Sequence, residues 1–258
     1  MKTDYITEKM DEIREAIAQK GAVLIAFSGG VDSSVVASLA YDALAEKASA
    51  ITIDSGLLPP RELEDAKNIA TRIGIPHRII GLDVLNDPKF VENPLDRCYH
   101  CKKRMLSGLR KIADAGIIMD GTNASDLGED RPGHRALKEF DVFTPLLDFG
   151  VSKSEVREMA ARLNLPNANK PSMSCLATRI PYGQRITKGK LHQIREAEQF
   201  LQSKGITDLR VRHHGNTACI ELPKDGMQVI LANTEEIIKK FREIGFECIS
   251  HKLRVHYV

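Results

Sequence analysis

The sequence predicts an α/β protein: a doubly wound parallel sheet followed by a smaller C-terminal α+β domain. Three observations support this fold class. Apolar, partly β-branched runs alternate with helical segments over the first 165 residues. Residues 166–185 are rich in Pro, Asn, Ser and Gly and are typical of a long functional loop. Beyond this loop, short strands and helices indicate a second, smaller unit. We therefore expect domains at 1–165 and 186–258, joined by 166–185.

The first domain begins with an amphipathic helix, in which the apolar residues Ile6, Met10, Ile13 and Ile17 recur at helical spacing. Strands are predicted at 22–27, 48–53, 77–81, 116–120 and 141–144. Helices are predicted at about 33–46, 60–73, 99–114 and 153–164. Ser152 and Glu155 have the spacing of a capping box at the start of the last helix.

The second domain begins with a predicted helix. Thr187 caps its start, it runs to about Ser203, and Gly205 ends it. An alternating strand at 209–213, a turn at 214–217 and a returning strand at 218–222 follow. Another helix starts at Thr234, and a final strand is predicted near 252–257.

Composition limits the class of function. Charged residues make up 28% of the 258 residues and the net charge is +2, so nothing demands a nucleic-acid or membrane partner, whereas a small anionic substrate is compatible. The N-terminus lacks an apolar signal core, and no run approaches the roughly 20 apolar residues of a membrane span. We expect a cytoplasmic protein that associates as a homo-oligomer. Its five cysteines form an odd set, and in a reducing compartment they act as ligands, nucleophiles or core residues rather than as disulfides.

The sequence Ser28-Gly29-Gly30-Val31-Asp32-Ser33-Ser34 lies between the first strand and the next helix. Glycines there let backbone N–H groups approach phosphate oxygens, the serine hydroxyls add donors, and Asp32 can hold Mg²⁺. The Gly-Lys-Ser/Thr of a Walker loop does not follow. The order of residues resembles the pyrophosphate loop of ATP pyrophosphatases, which transfer AMP to a substrate oxygen. We therefore expect ATP at residues 28–34.

Polar residues also follow two other predicted strands, at the edge where parallel sheets bind ligands. Asp54 ends the second strand. Gly121-Thr122-Asn123-Ala124-Ser125-Asp126 follows a later one and is similar to the Gly-Thr-Asn-x-x-Asp segment that faces nucleotide and metal in several pyrophosphate-loop enzymes. We expect Asp54, Gly121 and Asp126 in the ATP site, with Asp32 and Asp126 near Mg²⁺.

Cys98 and Cys101 form a Cys-x-x-Cys pair on the first turn of a predicted helix, close enough to bind one metal centre together. With Cys175 as a third thiolate they suit a four-iron cluster with one open iron. A structural zinc site, a redox dithiol and unpaired core cysteines are the alternatives. Cys219 and Cys248 lie in apolar segments and are expected in the core.

Four segments together resemble the LarE family, ATP-dependent sulfur transferases of nickel-pincer nucleotide cofactor biosynthesis. They are the pyrophosphate loop, 97–102, 171–183 and 210–212. The resemblance implies that ATP adenylates the carboxylates of pyridinium biscarboxylic acid mononucleotide and that sulfur then replaces AMP. It also implies that Cys175 handles the sulfur. In one branch this cysteine gives up its own sulfur and becomes dehydroalanine. The branch with three cysteines takes sulfide from a 4Fe-4S cluster and needs a sulfide donor as partner.

Arg210 and Arg212 leave the same face of a predicted strand, and two guanidinium groups on one face suit a phosphate monoester. The resemblance implies that they bind the substrate phosphate, with Arg254 as a third partner. Arg179 and Tyr182 follow Cys175 closely, so we expect both to line the same pocket and Arg179 to bind the substrate. Three other functions stay open. A tRNA thiolase with an iron-sulfur cluster needs a basic surface. An ATP-sensing module would release no pyrophosphate, and an amide-forming synthetase would not need the three cysteines.

Overall fold

A computed structural model describes residues 4–113, 116–128, 132–171 and 174–253. The chain divides into two compact units. The larger unit contains the described residues of Met1–Val84 and Asp96–Met173, and the smaller unit contains those of Leu85–Leu95 and Ser174–Val258. The sequence alone places the boundary at 165 and gives no sign that 85–95 groups with the C-terminal residues.

The larger unit is built on a parallel four-stranded sheet of β1 (Val23–Ala26), β2 (Ala48–Asp54), β3 (His77–Gly81) and β4 (Ile117–Met119). The strands lie in the order β3-β2-β1-β4. Because β2 and β4 flank β1 on opposite sides, the winding direction of the chain reverses between β1 and β4. The loops that follow these two strands diverge there, and open parallel sheets bind ligands at such a point.

The predicted helices of this part of the chain begin and end close to the expected positions, whereas three further helices, at Pro88–Val91, Pro132–Glu139 and Pro145–Asp148, were not predicted. In chain order the helices are α1 (Tyr5–Ala18), α2 (Val31–Leu44), α3 (Pro60–Ile73), the short α4 (Pro88–Val91), α5 (Arg97–Arg110), α6 (Pro132–Glu139), the short α7 (Pro145–Asp148) and α8 (Lys153–Arg162). The capping box at Ser152 and Glu155 is confirmed. Of these helices, α4 belongs to the smaller unit.

Alternate residues of the strands face two apolar cores. Val23 and Ile25 pack with residues of α1, α2 and α8. Leu24 and Ile118 point to the other face and pack with α5 and α6. A strand that is buried on both faces needs a nearly continuous apolar sequence, which explains the run at 22–27.

The smaller unit contains a three-stranded sheet in the order β5-β6-β7, formed by β5 (Arg210–His214), β6 (Thr217–Leu222) and β7 (Cys248–Leu253). β5 and β6 are antiparallel, whereas β6 and β7 are parallel. Helices α9 (Lys188–Ser203), α10 (Gly226–Ala232) and α11 (Thr234–Ile244) complete the unit. Residues Val211, Ile220, Leu201 and Phe241 belong to its core.

A buried asparagine ties residues 85–95 to the smaller unit. The Asn93 side-chain amide donates to the carbonyl oxygens of Pro181 and Gln184, at 2.7 and 3.0 Å. In addition, the Ile186 N–H donates to the Val91 carbonyl at 2.8 Å. Since the partners are main-chain atoms far away in sequence, the sequence pattern carries no signal for this arrangement.

Three sequence predictions need correction. Residues 141–144 do not form a strand; the segment contributes one isolated bridge, between Met119 and Phe143. The final strand starts at Cys248 rather than near 252, and 254–257 lies outside the described residues. Cys219 is half-buried and Cys248 exposed, so neither is a core residue. Their register places both on the sheet face opposite to the buried Ala218 and Ile220.

None of the helices in the described ranges combines the length and the apolar character that a membrane crossing requires.

Candidate nucleotide and sulfur-transfer site

The loop between β1 and α2 is held by its own serine hydroxyls. Gly30 N–H donates to Ser28 Oγ at 3.2 Å, and Ser28 N–H donates to Ser33 Oγ at 3.2 Å. The hydroxyls of Ser33 and Ser34 donate to the Gly30 carbonyl at 3.1 and 2.9 Å. Because the first turn of a helix leaves N–H groups without partners in the helix, the start of α2 presents donors and a positive dipole end to an anion.

Gly29 is required for this loop by its backbone and by its surroundings. Its φ is +71°, and a Cβ would lie 2.8 Å from the Cα of Ala66 in α3. The loop therefore rests directly on α3, where a side chain would collide with main chain.

Asn167 holds the other side of the loop. Its buried side-chain amide donates to the Gly29 carbonyl at 3.0 Å and to Ser34 Oγ at 2.9 Å. Sequence reasoning missed Asn167, because an asparagine in a Pro- and Asn-rich loop is an ordinary loop residue. Ser34 is fully buried by these contacts, so it supports the loop from behind.

The loop after β4 lies against the start of α2 and contributes carboxylates. Asp126 accepts the Asn123 N–H at 3.1 Å, and the Asn123 side-chain amide donates to Asp32 Oδ1 at 3.0 Å. Asn123 thus contacts both Asp32 and Asp126, the two residues predicted near Mg²⁺. In contrast, Asp54 accepts the N–H of Gly56 at 2.9 Å, and it does not line the cavity described below.

Asp32 forms an ion pair that sequence reasoning missed. Lys153 Nζ lies 2.8 Å from Asp32 Oδ1 and 2.6 Å from Oδ2. Lys153 is the first residue of α8, directly after the Ser152 cap. The capping box formed by Ser152 and Glu155 could be identified from the sequence. The contact between Lys153 and Asp32 could not, because the two residues are more than a hundred positions apart.

A cavity of about 300 Å³ opens between these loops, β2 and α5. Its lining is polar on one side, where Ser28, Asp32, Gly121 and Asp126 lie. The other side is apolar, formed by Ile51, Ile53, Met105, Leu106 and Leu109. A polar wall beside a helix N-terminus and an apolar wall opposite suit a ligand that joins phosphates to a flat ring.

An ion pair joins the buried Asp120, which follows β4, to Lys102 of α5, whose side chain is partly exposed. Lys102 Nζ lies 2.9 Å from Asp120 Oδ2, and Thr122 donates its N–H and its hydroxyl to Asp120 Oδ1. Burial alone raises the pKa of Asp120, but the charge of Lys102 and the hydrogen bonds from Thr122 outweigh it, so the pKa is lowered. Asp120 therefore stays ionised and holds the Lys102 ammonium at the cavity.

Cys101 directly precedes Lys102 on α5, and Cys98 lies about one turn earlier. Cys98 is exposed and Cys101 is half-buried, with its Sγ 3.8 Å from Met105 Sδ. Positions three apart on a helix share a face. Among the residues that the structure describes, no three His, Cys, Asp or Glu side chains are grouped so that they could hold a metal ion.

In the smaller unit, Cys175 immediately precedes a short 3-10 helix, Leu176–Arg179. The Cys175 carbonyl accepts the hydroxyl of Thr178 at 2.8 Å. Arg179 Nη1 donates to the carbonyls of Ser174 and Cys175, at 2.9 and 3.3 Å. The main chain on both sides of the Cys175 thiol is thereby held in place.

Arg179 is itself buried, with 1% of its surface exposed. Its Nε donates to Glu198 Oε1 at 2.8 Å and its Nη2 to Oε2 at 3.2 Å. Glu198 Oε1 also accepts the Val211 N–H of β5 at 2.9 Å. This placement differs from the predicted contact between Arg179 and substrate, because the guanidinium faces protein groups. The structure gives Arg179 the geometry of a positioning residue.

Arg210 and Arg212 share one face of β5, opposite to the buried Val211 and His213. Arg212 Nη1 donates to the Thr178 carbonyl at 2.6 Å, which brings this strand face beside the Cys175 turn. Its Nε donates to Glu221 Oε2 at 3.0 Å. Tyr182 is exposed, and Arg254 lies outside the described residues.

Comparisons with known proteins agree with this architecture. A family model described as NAD synthase matches residues 4–90. An uncharacterized protein of Synechocystis is 39% identical, over 93% of this chain and 92% of its own length. One component of the glutamine-hydrolyzing GMP synthase of Methanocaldococcus jannaschii is 31% identical, over 78% of this chain and 69% of its own.

A third relative has a name that states its product. The pyridinium-3,5-bisthiocarboxylic acid mononucleotide synthase of Lactiplantibacillus plantarum is 32% identical, over 88% of this chain and 84% of its own length. This match spans both units rather than the nucleotide loop alone. The chain therefore belongs to the LarE family, within the pyrophosphate-loop superfamily of ATP-using enzymes.

Proposed function

We propose that the protein is an ATP-dependent sulfurtransferase that converts the carboxylates of pyridinium-3,5-biscarboxylic acid mononucleotide to thiocarboxylates, in biosynthesis of the nickel-pincer nucleotide cofactor. The observation that carries the proposal is the 32% identity to the bisthiocarboxylic acid mononucleotide synthase along nearly the whole chain. The products of the two half-reactions are pyrophosphate and then AMP.

ATP binds, in this proposal, with its phosphates on Ser28, Gly29, Gly30 and Ser33, whereas the predicted contact with Ser34 is replaced by support of the loop from behind, because Ser34 is fully buried. The start of α2 supports this proposal, because the N–H groups of its first turn lie beside the loop and can bind an anion. The apolar side of the cavity, with Ile51 and Leu106, takes the base. The close approach of Gly121 to the start of α2 supports its place in the proposed site, and Asp54 stays a prediction from its position at the end of β2.

The residues present fit a Mg²⁺ ion. Asp32 and Asp126 both line the cavity and both contact Asn123, and carboxylate oxygens are the ligands that Mg²⁺ prefers. When bound there, Mg²⁺ would offset the charge of the phosphates. The substrate carboxylate attacks the α-phosphorus and pyrophosphate leaves, which gives an acyl adenylate. Lys102, held at the cavity by Asp120, stabilises negative charge during this step.

The sulfur step then takes place at the acyl carbon. A sulfur nucleophile forms the carbon–sulfur bond and AMP departs with the former carboxylate oxygen. We assign Cys175 as the sulfur-handling residue, supported by its held main chain and by the nearby Arg212. Arg210 and Arg212, on one strand face, bind the phosphate of the mononucleotide, and Arg254 stays a prediction.

A 4Fe-4S cluster is the finer part of the proposal. The thiolates of Cys98 and Cys101 have the chemistry and the helical spacing for such a cluster, and Cys175 would be its third ligand. When bound, the cluster would carry an exogenous sulfide, so that Cys175 is not consumed. The sulfide donor and the homo-oligomer are likewise predictions from the sequence.

An amide-forming synthetase is the second candidate, favoured by the matches to NAD synthase and to GMP synthase. Such an enzyme shares the adenylation step but needs no thiol. Incubation of the protein with ATP, Mg²⁺, sulfide and the biscarboxylic mononucleotide separates the two. We expect pyrophosphate release and a product in which sulfur replaces oxygen. An amide, formed equally by a Cys175→Ser variant when ammonia is supplied, would contradict the sulfurtransferase.

A further inference from the structure

We propose that Lys153 is a phosphate-binding residue of the ATP site and supplies the cation that the nucleotide loop itself lacks. The inference rests on the proposed use of ATP and extends it to a residue that the loop motif does not contain. A Walker loop carries its own lysine for the terminal phosphates, whereas residues 28–34 of this chain contain none.

The charge of the cavity lining favours such a residue. Its described lining contains three carboxylates, from Asp32, Asp120 and Asp126, and one ammonium group, from Lys102. Lys102 is already paired with Asp120 at 2.9 Å. Mg²⁺ at Asp32 and Asp126, together with Lys102, would offset part of the charge of an entering triphosphate, and a further cation beside the loop would strengthen its binding. Lys153 Nζ contacts this wall, within 2.8 Å of both oxygens of Asp32.

The main chain of Lys153 is held by a hydrogen bond, and its partly exposed side chain extends to Asp32. Lys153 N–H donates to Ser125 Oγ at 3.0 Å, which joins the start of α8 to the loop after β4. The preceding Ser152 donates its N–H and its hydroxyl to Glu155, at 2.7 and 2.6 Å. The long lysine side chain, 30% exposed, extends from this anchored position to Asp32.

A purely structural role does not account for the Lys153–Asp32 pair. The two side chains are 30% and 26% exposed, and ion pairs with that exposure contribute little to stability. Helices α2 and α8 already pack through buried residues such as Val36, Val156 and Met159. The same two oxygens of Asp32 are also those proposed for Mg²⁺, so a metal ion there weakens the hold on Lys153 and leaves its ammonium available to the phosphates.

Equilibrium binding without the pyridinium substrate tests the inference. In the Lys153→Met variant we expect ATP, in the presence of Mg²⁺, to bind about tenfold or more weakly, because a charge-assisted contact is lost. Mn²⁺ alone, followed by electron paramagnetic resonance, should bind more tightly, since Asp32 no longer has a competing cation. Lys153→Arg should recover part of the ATP affinity.

A matched control is Lys9→Met, since Lys9 pairs with Glu155 at 3.1 Å away from the cavity lining. It should leave the affinities for ATP and Mn²⁺ unchanged. Unchanged ATP affinity in Lys153→Met would overturn the inference, as would a loss that merely parallels a fall in melting temperature and that Lys153→Arg does not relieve. These experiments measure ATP and Mn²⁺ binding and not sulfur transfer. A failure of the proposed sulfurtransferase in the product assay is therefore a separate result from a failure of the Lys153 inference.

Discussion

Gly121 and Ser33 are in main-chain contact: a Cβ on Gly121 would lie 2.6 Å from the backbone nitrogen of Ser33. This contact brings the loop after β4 against the first turn of α2, where the proposed phosphate and metal ligands meet. No side chain fits there without a shift of one backbone segment, since real Cβ atoms do not approach main chain so closely.

Gly121→Ala should therefore separate the two loops. We expect a loss of about 1–3 kcal/mol in the free energy of unfolding, typical of overpacking, together with a large loss of ATP affinity. Urea unfolding and equilibrium ATP binding measure the two effects. Gly81→Ala, at the end of β3, is the matched control because nothing lies within 4 Å of its added Cβ. Normal ATP binding by Gly121→Ala would show that the contact is dispensable.

The Arg179–Glu198 pair should be essential for stability and for the Cys175 turn. Glu198→Gln leaves a buried guanidinium without its counter-charge, so we expect a loss of about 3–5 kcal/mol in urea unfolding. Glu236→Gln, which breaks an exposed pair with Lys204, should cost less than about 1 kcal/mol.

A double variant separates stability from positioning. Arg179→Met combined with Glu198→Leu should recover part of the stability, because the buried charges are removed together while the Val211 N–H loses its acceptor. Sulfur transfer should stay low, since the carbonyls of Ser174 and Cys175 lose their donor. Full activity in the stable double variant would contradict the positioning role of Arg179.

Glu155 should make part of the stability dependent on pH. Hydrogen bonds from Ser152, aided by Lys9, lower the pKa of Glu155 from 4.5 to about 2. A carboxyl whose pKa is lower in the folded state than in the unfolded state stabilises the folded state at every pH above its unfolded pKa. This contribution is lost as the pH falls from about 4.5 through about 2. Urea unfolding of wild type and Glu155→Gln should thus differ near neutral pH and converge toward pH 2. If the free energies of unfolding of wild type and Glu155→Gln differed by the same amount across that pH range, the prediction would be contradicted. The control Glu12→Gln, at an exposed position, should show no such pH dependence.

The three cysteines should determine the iron content. Protein prepared anaerobically should hold about four iron and four acid-labile sulfide per chain, and a variant with Cys98, Cys101 and Cys175 changed to Ala should hold neither. Replacement of Cys219 and Cys248 by Ala is the control, because both lie on the outer face of the small sheet, and it should keep the iron. Absence of both elements after reconstitution would return Cys175 to the role of sacrificial sulfur donor.

Local patterns in the sequence were sufficient for the fold class and for the loop. The buried run at 22–27, the glycines at 29 and 30 and the helix after them are encoded by neighbouring residues. Lys153, Asn167 and Glu198 were missed, because each acts on a partner brought close only by folding. The predicted strand at 141–144 forms a single bridge. The apolar neighbours of Cys248 misled, because five of the six residues of β7 are exposed.

The most direct test of the central claim follows the oxygen of the substrate carboxylate. The biscarboxylic mononucleotide, labelled with oxygen-18 in its carboxylates, is incubated with ATP, Mg²⁺, a sulfide source and the protein, and AMP and product are analysed by mass spectrometry. Adenylation followed by sulfur attack predicts one labelled oxygen in AMP for each sulfur introduced. Thiocarboxylate formation with unlabelled AMP, or label in pyrophosphate, would contradict an acyl adenylate and with it the proposed mechanism.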